Sequence, residues 1–529
     1  MAEHLNPNQP SPSPAAGAIV GLLTAAVGLS VGQLVALPIA DQAAPVVAVG
    51  QAGVVLSPES LKSFAIRTFG SHDKPVLITG MVIVIVGLAV VLGMLSMRRR
   101  WIGVAGVVAL GVVGAIAAGT RPGAGPLWPV PALAGMFAGI FAFGRLWSAA
   151  QPVPVAASAP ADPDGTADTE PRLGLDRRAF LRTSAVAGAG AVAAQLLTSA
   201  ATPHLRAGDI SRETVQLPPP ASPLPPPPVG ADLHVRGLSP FFTPNEFFYR
   251  VDTALLTPQV AADTWRLRIH GQVDREVELS FHELLQRSLE EHDVTLTCVS
   301  NPVGGGYVGN ARWLGAMLKP LLDEAGVQAG ADQIVSRSSD GMTIGTPTAA
   351  IMDGRDAMLA VGMNGVPLPI AHGFPVRMVV PGLYGYTSAT KWVVDMELTT
   401  FGAYDAYWVG QGWAQQAPIK TESRIDTPAS GTTVQRGTVP VAGVAWAQHR
   451  GIAAVEVRVD GGPWNGARLS AVDTIDTWRQ WVWEWDATPG THTLEVRATD
   501  DIGSTQTAAR VPPAPNGATG WHQVFVTVS

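Results

Sequence analysis

One cysteine, Cys298, stands in a chain of 529 residues. Internal disulfides, zinc-finger spacing and a cysteine-held iron–sulfur cluster are thereby excluded, and a functional thiol would act alone. Charge is scarce too: 15% of residues are charged and 47% are hydrophobic, whereas soluble domains carry about a quarter charged residues. Part of the chain therefore belongs in a membrane. A net charge of -7 offers no polybasic surface for phosphates, which leaves nucleic acid out as a partner. The length allows several units with cores of their own.

The runs 16–40, 76–95, 101–119 and 127–144 contain no Asp, Glu, Lys or Arg. Each has roughly the 17–25 residues that span a bilayer as a helix, so 1–150 reads as a four-span membrane anchor rather than as buried helices of a soluble protein. With the N-terminus inside, the inner loops hold Arg98, Arg99, Arg100, Arg145, Arg172, Arg177, Arg178 and Arg182, against Lys62, Arg67, Lys74 and Arg121 outside. The excess of basic residues sets this orientation. None of the histidines lies in a span, which removes a bis-histidine haem. The spans also lack the ionisable residues of an ion path, so anchoring is their expected role.

Residues 151–182 read as a cytoplasmic linker, disordered over Gln151–Pro171 by its Pro, Ala, Asp and Thr content. The linker ends in Asp176-Arg177-Arg178-Ala179-Phe180-Leu181-Arg182, ahead of the Ala-rich run 183–200, a fifth span. The motif resembles a twin-arginine export signal, although a basic flank anchoring the fifth span gives the same orientation. Residues 201–239 form a Pro-rich spacer in which Leu217–Pro228 should adopt a stiff polyproline II conformation.

Beyond it the composition is that of a globular α/β or α+β domain. Trp265, Leu267 and Ile269 alternate as a strand, Phe281–Leu289 has a helical pattern, and Val294, Leu296 and Cys298 alternate again. Cys298 then ends a strand before Asn301-Pro302-Val303-Gly304-Gly305-Gly306, a tight loop whose glycines permit close backbone approach to something. A lone cysteine there is either a small buried apolar residue or a soft metal ligand at a loop rim. His372-Gly373-Phe374-Pro375-Val376-Arg377 with Lys391 reads as an anion site or as solvated loop charge. From 427 to 529 the pattern is all-β and fits an immunoglobulin-like sandwich, with Trp481, Trp483 and Trp485 on one strand face, as core or interface rather than as a sugar platform.

Together these residues resemble the sulfite oxidase family of molybdopterin enzymes. The likeness rests on Thr243-Pro244-Asn245, Phe247-Phe248-Tyr249-Arg250, Thr297-Cys298, His372–Arg377, Val380-Pro381-Gly382 and Lys391-Trp392, and on the run Gly443–Trp446 with the hairpin Val455–Gly462. After the transmembrane helices read from hydropathy, it implies an α+β molybdopterin domain over 240–426 and an immunoglobulin-like dimerisation domain over 427–529, so the fold class is that of a multi-domain chain. It also implies a Mo-molybdopterin cofactor with Cys298 as the protein ligand to molybdenum. Tyr249, Arg250, Asn301, Asp340, His372, Arg377, Thr390 and Lys391 become the expected cofactor-binding residues, with Arg250 and Trp413 at the substrate pocket. Where sulfite-oxidising members follow the cysteine with Ala-Gly-Asn-Arg-Arg, this chain has Val299-Ser300-Asn301-Pro302-Val303. A pocket tyrosine becomes Trp413, and an arginine-bearing loop shortens to Pro515-Asn516-Gly517.

The expected function is a membrane-tethered, extracytoplasmic molybdenum oxidoreductase that transfers an oxygen atom to or from a small sulfur or nitrogen compound, with S- or N-oxide reduction favoured. Sulfite oxidation and a non-catalytic membrane scaffold are the alternatives. An external redox partner and a homodimer formed through the C-terminal domain complete the expectation.

Overall fold

The computed structural model describes residues 13–57, 73–121, 124–155, 172–200 and 207–529. The chain divides into two compact units, the first built from the N-terminal helices. Among its described residues five helices are long and apolar enough to cross a membrane: Pro14–Ala36, Val76–Ser96, Arg100–Gly119, Val130–Ala149 and Arg177–Ser199. Each contains most of one expected run. The first stops at Ala36 rather than at residue 40, because Pro38 lacks the amide proton that would continue the ladder. A further helix, Pro45–Leu56, is too short to register as a span.

The fifth helix begins at Arg177, six residues before the expected apolar run. Asp176 caps it, its Oδ1 accepting the amides of Arg178 and Ala179 at 3.1 Å each. The expected disordered linker is partly ordered: β1 (Pro152–Val155) pairs antiparallel with β2 (Arg172–Leu175), while 156–171 lie outside the described residues.

The second unit contains an α+β domain and a β-sandwich. Ten strands of the α+β domain form two sheets: β3 (Arg266–Gly271), β4 (Val277–Ser280), β5 (Leu289–Thr297), β6 (Val308–Met317), β7 (Gln333–Ser338), β8 (Thr343–Pro347), β9 (Met358–Met363), β10 (Val366–Pro367), β11 (Arg377–Val379) and β12 (Val393–Thr399). One sheet runs β10-β9-β6-β5 with β11 also on β9, and the other runs β4-β3-β12-β7-β8. Trp265, Leu267, Ile269, Val294, Leu296 and Trp313 meet in the core between them. Each such side chain contributes about 1.5–3 kcal/mol by leaving water.

The helix expected over Phe281–Leu289 is Phe281–Leu285 only. Ser280 and Glu283 start it as a capping box, and Leu289 already belongs to β5. The proline stretch is no free spacer either. It is strapped along β5, with the Ala221 amide donating to Leu289 O at 2.8 Å and Arg312 donating to the carbonyls of Leu224 and Pro225 at 3.1 and 2.9 Å. A polyproline segment leaves its carbonyls unpaired, and here an arginine collects them.

The sandwich packs β13 (Glu422–Thr427), β15 (Gly437–Trp446), β18 (Arg468–Leu469) and β19 (Arg479–Ala487) against β14 (Thr433–Val434), β16 (Ile452–Val459), β17 (Asn465–Gly466), β20 (Gly490–Asp500) and β21 (His522–Val528). Trp481 and Trp485 lie in its core, with Trp483 packed against it. The sandwich also grips the cysteine-bearing strand: Gln448 Nε2 donates to Thr295 O and Thr297 Oγ1 at 2.9 and 3.0 Å, and the Trp478 amide to Thr295 Oγ1 at 2.7 Å. Both faces of β5 are thus covered, which fixes the position of its end.

Candidate active site

Cys298 follows β5 and is buried, its amide donating to Tyr307 O at 2.9 Å. Burial pushes its thiol up, opposed by hydrogen bonding from Ser300 and by the Lys391 charge. The loop after it is stitched by Asn301, whose Oδ1 accepts the Tyr307 amide at 2.8 Å. Gly304 has φ +75°, and a Cβ there would collide with the His522 ring of the sandwich. The close approach expected of this glycine loop is to the neighbouring domain.

A cluster of cations gathers nearby. His372 ends a 3-10 turn, and a Cβ at Gly373 would lie 3.0 and 3.1 Å from Arg377 Cβ and Lys391 Cα, so only glycine lets these segments close. His372 Nε2 lies 3.2 Å from Asn245 O, Arg377 Nη1 donates to His372 O at 3.2 Å, and the Arg377 guanidinium lies 5.0 Å from the Trp313 ring centre. Lys391 Nζ donates to Asp252 Oδ2 at 2.8 Å and lies over the Trp392 ring. Arg250 reaches the same carboxylate oxygen through Nε at 2.7 Å and Thr257 through Nη2 at 2.7 Å.

Burial, joined by mutual repulsion at His372 and Lys391, shows in the titration of these groups. Burial lowers His372 to about 4, helped by Arg377, Lys391 and Arg250. Burial lowers Arg377 to about 10. It lowers Lys391 to about 8 against the pull of Asp252, with Arg377 and Arg250 adding to the fall. Arg377 Nε and Asn301 Nδ2 are buried without partners. Cations driven towards neutrality and donors without acceptors suit the binding of an anion, such as a cofactor phosphate.

Of the other expected residues, Tyr249, Thr390 and Asp340 lie on segments next to this cluster, and Trp413 does not. Tyr249 stacks on Phe248, and burial and Cys298 raise its hydroxyl. A Cβ at Gly385 would lie 3.9 Å from that hydroxyl and 3.8 Å from Thr297 O, which places Tyr249 beside the cysteine strand end. Thr390 shares a 2.5 Å hydrogen bond with Ser336, and its carbonyl accepts the Met378 amide. Asp340 lies in the turn between β7 and β8, where its Oδ1 accepts the Met342 amide at 3.2 Å, and Ser339 joins this turn to Trp392 O at 2.9 Å. Trp413 is buried in another cluster with Val299 and Tyr384, 5.8 Å from the Tyr386 ring. Arg250 is held at the cation cluster by Asp252, whereas Trp413 lies with Val299. Asp252 and Trp313 were missed, since neither carries a motif signal.

A family description, "Oxidoreductase molybdopterin binding domain", matches residues 254–408, and "Bacterial Ig domain" matches 422–496. The "Uncharacterized oxidoreductase YuiH" of Bacillus subtilis (strain 168) is 30% identical over 149 residues, covering 28% of this chain and 72% of that protein. The chain belongs to the sulfite oxidase family of molybdopterin-dependent oxidoreductases. "Sulfite oxidase, mitochondrial" of Homo sapiens is 30% identical over 344 residues, covering 55% of this chain. The match spans 62% of the human protein, less than two thirds of its length. A crystal structure of the sulfane dehydrogenase SoxCD from Paracoccus pantotrophus aligns with 54% of this chain and 81% of that one, at 22% identity and a TM-score of 0.48. Membership implies a Mo-molybdopterin cofactor, and the unpaired donors and crowded cations fit its phosphate.

Proposed function

We propose that this protein is a membrane-tethered, extracytoplasmic molybdenum oxidoreductase that handles neutral S- or N-oxides in preference to sulfite. The preference rests on the composition of the loop after Cys298: buried Val299, Ser300, and Asn301-Pro302-Val303, with buried Trp413 beside Val299. A dianion brought there would lose its hydration without gaining cationic partners, whereas a neutral oxide needs one good donor.

When bound, the cofactor supplies two-electron oxygen-atom transfer. The chain's own part is positional. Cys298 Sγ would hold the metal, and Arg377, Lys391, His372 and the Asn301 side-chain amide would hold the phosphate and pterin. Asp252 keeps Lys391 and Arg250 in place between turnovers. Tyr249, whose phenol burial keeps protonated, offers a hydrogen-bond donor near Thr297, and the Gln448 clamp on β5 keeps the metal ligand from drifting. Retention of Cys298 with this cradle argues against a catalytically silent scaffold.

The five apolar helices support tethering, and the basic loops with Arg177-Arg178 support an outer catalytic domain exported as folded cargo. Electrons pass to or from an external partner, and the sandwich is the surface for a homodimer. Similarity to animal sulfite oxidases favours sulfite oxidation as the second reading. The molybdenum-loaded full chain, assayed with artificial electron donors and acceptors, should show a higher kcat/KM for a neutral sulfoxide or N-oxide than for sulfite. Pro302→Arg with Val303→Arg should move the ratio towards sulfite. Brisk sulfite oxidation without oxide reduction would refute the proposal.

A further inference from the structure

Within the first unit, the helices Pro14–Ala36, Asp73–Ser96, Arg100–Gly119 and Val130–Ala149 surround a half-open cavity of about 170 Å³. Leu29, Leu92 and Met136 form apolar walls, while Gly28, Gly103 and Gly139 sit at close helix contacts, where a Cβ would meet Gly135 O, the Phe143 ring and Val107. An apolar cavity of about 150 Å³ accepts a benzene-sized molecule. The space is therefore that of one six-membered ring.

One polar side chain breaks the apolar lining. Thr24 is 5% exposed, it lines the cavity, and its Oγ1 has no hydrogen-bond partner among the described residues. A helical threonine ordinarily returns its hydroxyl to a carbonyl one turn back, as Thr120, Thr183 and Thr198 do towards Ile116, Ala179 and Ala194 at 2.8, 2.9 and 2.8 Å. Thr24 does not. Among hydrocarbon there is no water to take its place, so the hydroxyl stands ready for an acceptor that a ligand in the cavity would bring.

We propose that this cavity binds a ring of the benzoquinone class, with a ring carbonyl accepting the Thr24 hydroxyl and an apolar tail leaving through the open side. A lipid acyl chain could fill the volume but brings no oxygen to the depth of Thr24. The site shares no residue with the molybdenum centre, so either assignment can fail without the other.

The test uses the full chain in detergent, titrated with 2-decyl-1,4-benzoquinone and, separately, with decylbenzene, which has the same shape without carbonyls. The quinone should bind saturably and about fivefold more tightly than the hydrocarbon, the worth of one hydrogen bond. Thr24→Val, nearly isosteric, should remove that advantage, leave decylbenzene binding unchanged, and shift the bound quinone's infrared carbonyl stretch to higher frequency. Val107→Phe, which fills the cavity, should weaken both ligands, with helical circular dichroism and gel-filtration behaviour confirming folded protein. Equal affinities for the two ligands in the unsubstituted chain, a quinone affinity indifferent to Thr24→Val, or no saturable binding would each overturn the proposal.

Discussion

Arg377 gives one hydrogen bond from Nη1 to the His372 carbonyl at 3.2 Å while its Nε is buried with no acceptor among the described residues. A guanidinium placed this way is poorly satisfied by its own protein. It is arranged for a group that arrives after folding, and this makes the cradle testable without any assay of turnover.

Arg377→Met should remove the central donor for the cofactor phosphate. Each charge-assisted hydrogen bond is worth about 1.5–3 kcal/mol, so molybdenum retained through purification should fall at least tenfold. The cofactor-free form should unfold no sooner than the parent, because the substitution also removes an unpaired buried charge. Metal analysis and a thermal melt of both forms check this.

Asp252→Asn should act in the opposite sense. Asp252 Oδ2 joins Lys391 Nζ at 2.8 Å and Arg250 Nε at 2.7 Å. Breaking one partner of a buried pair costs about 3–5 kcal/mol. The melting temperature of the cofactor-free protein should fall, and cofactor loading should recover much of the loss by returning a negative charge to the cluster. Melts with and without cofactor decide the matter.

An α+β domain followed by an immunoglobulin-like sandwich was legible in the sequence, but contacts between distant segments were not. Alternation places Leu267, Ile269, Val294 and Leu296 in the core, and the tryptophans of β19 follow the same rule. Hydropathy cannot show that Pro38 ends the first helix early or that Asp176 extends the fifth backwards. Nor does a proline run announce that Arg312 of β6 will strap it down through the carbonyls of Leu224 and Pro225. At the site, motif matching names His372, Arg377 and Lys391, but Asp252 becomes visible only when folding brings both its cationic partners to one oxygen.

Glu422 should make stability depend on pH. It is buried in β13, and burial pushes its carboxyl up to about 8, against the pull of Lys420. Between pH 4.5, its ordinary value, and about 8, the unfolded chain is ionised while the folded one keeps its proton. Stability contributed by this group is therefore present below the window and lost as pH rises through it, by up to about 1.4 kcal/mol per pH unit. Glu422→Gln cannot ionise, so its denaturation midpoints at pH 5 and pH 8 should differ less than those of the parent.

The most direct test of the account is molybdenum K-edge X-ray absorption on the loaded chain and on Cys298→Ser. Cys298 is the only thiol available to the metal. The substituted protein should lose one sulfur scatterer and its turnover, while Arg377, His372 and Lys391 still retain the pterin. An unchanged sulfur count in Cys298→Ser would contradict the assignment of Cys298 as the ligand that holds the metal.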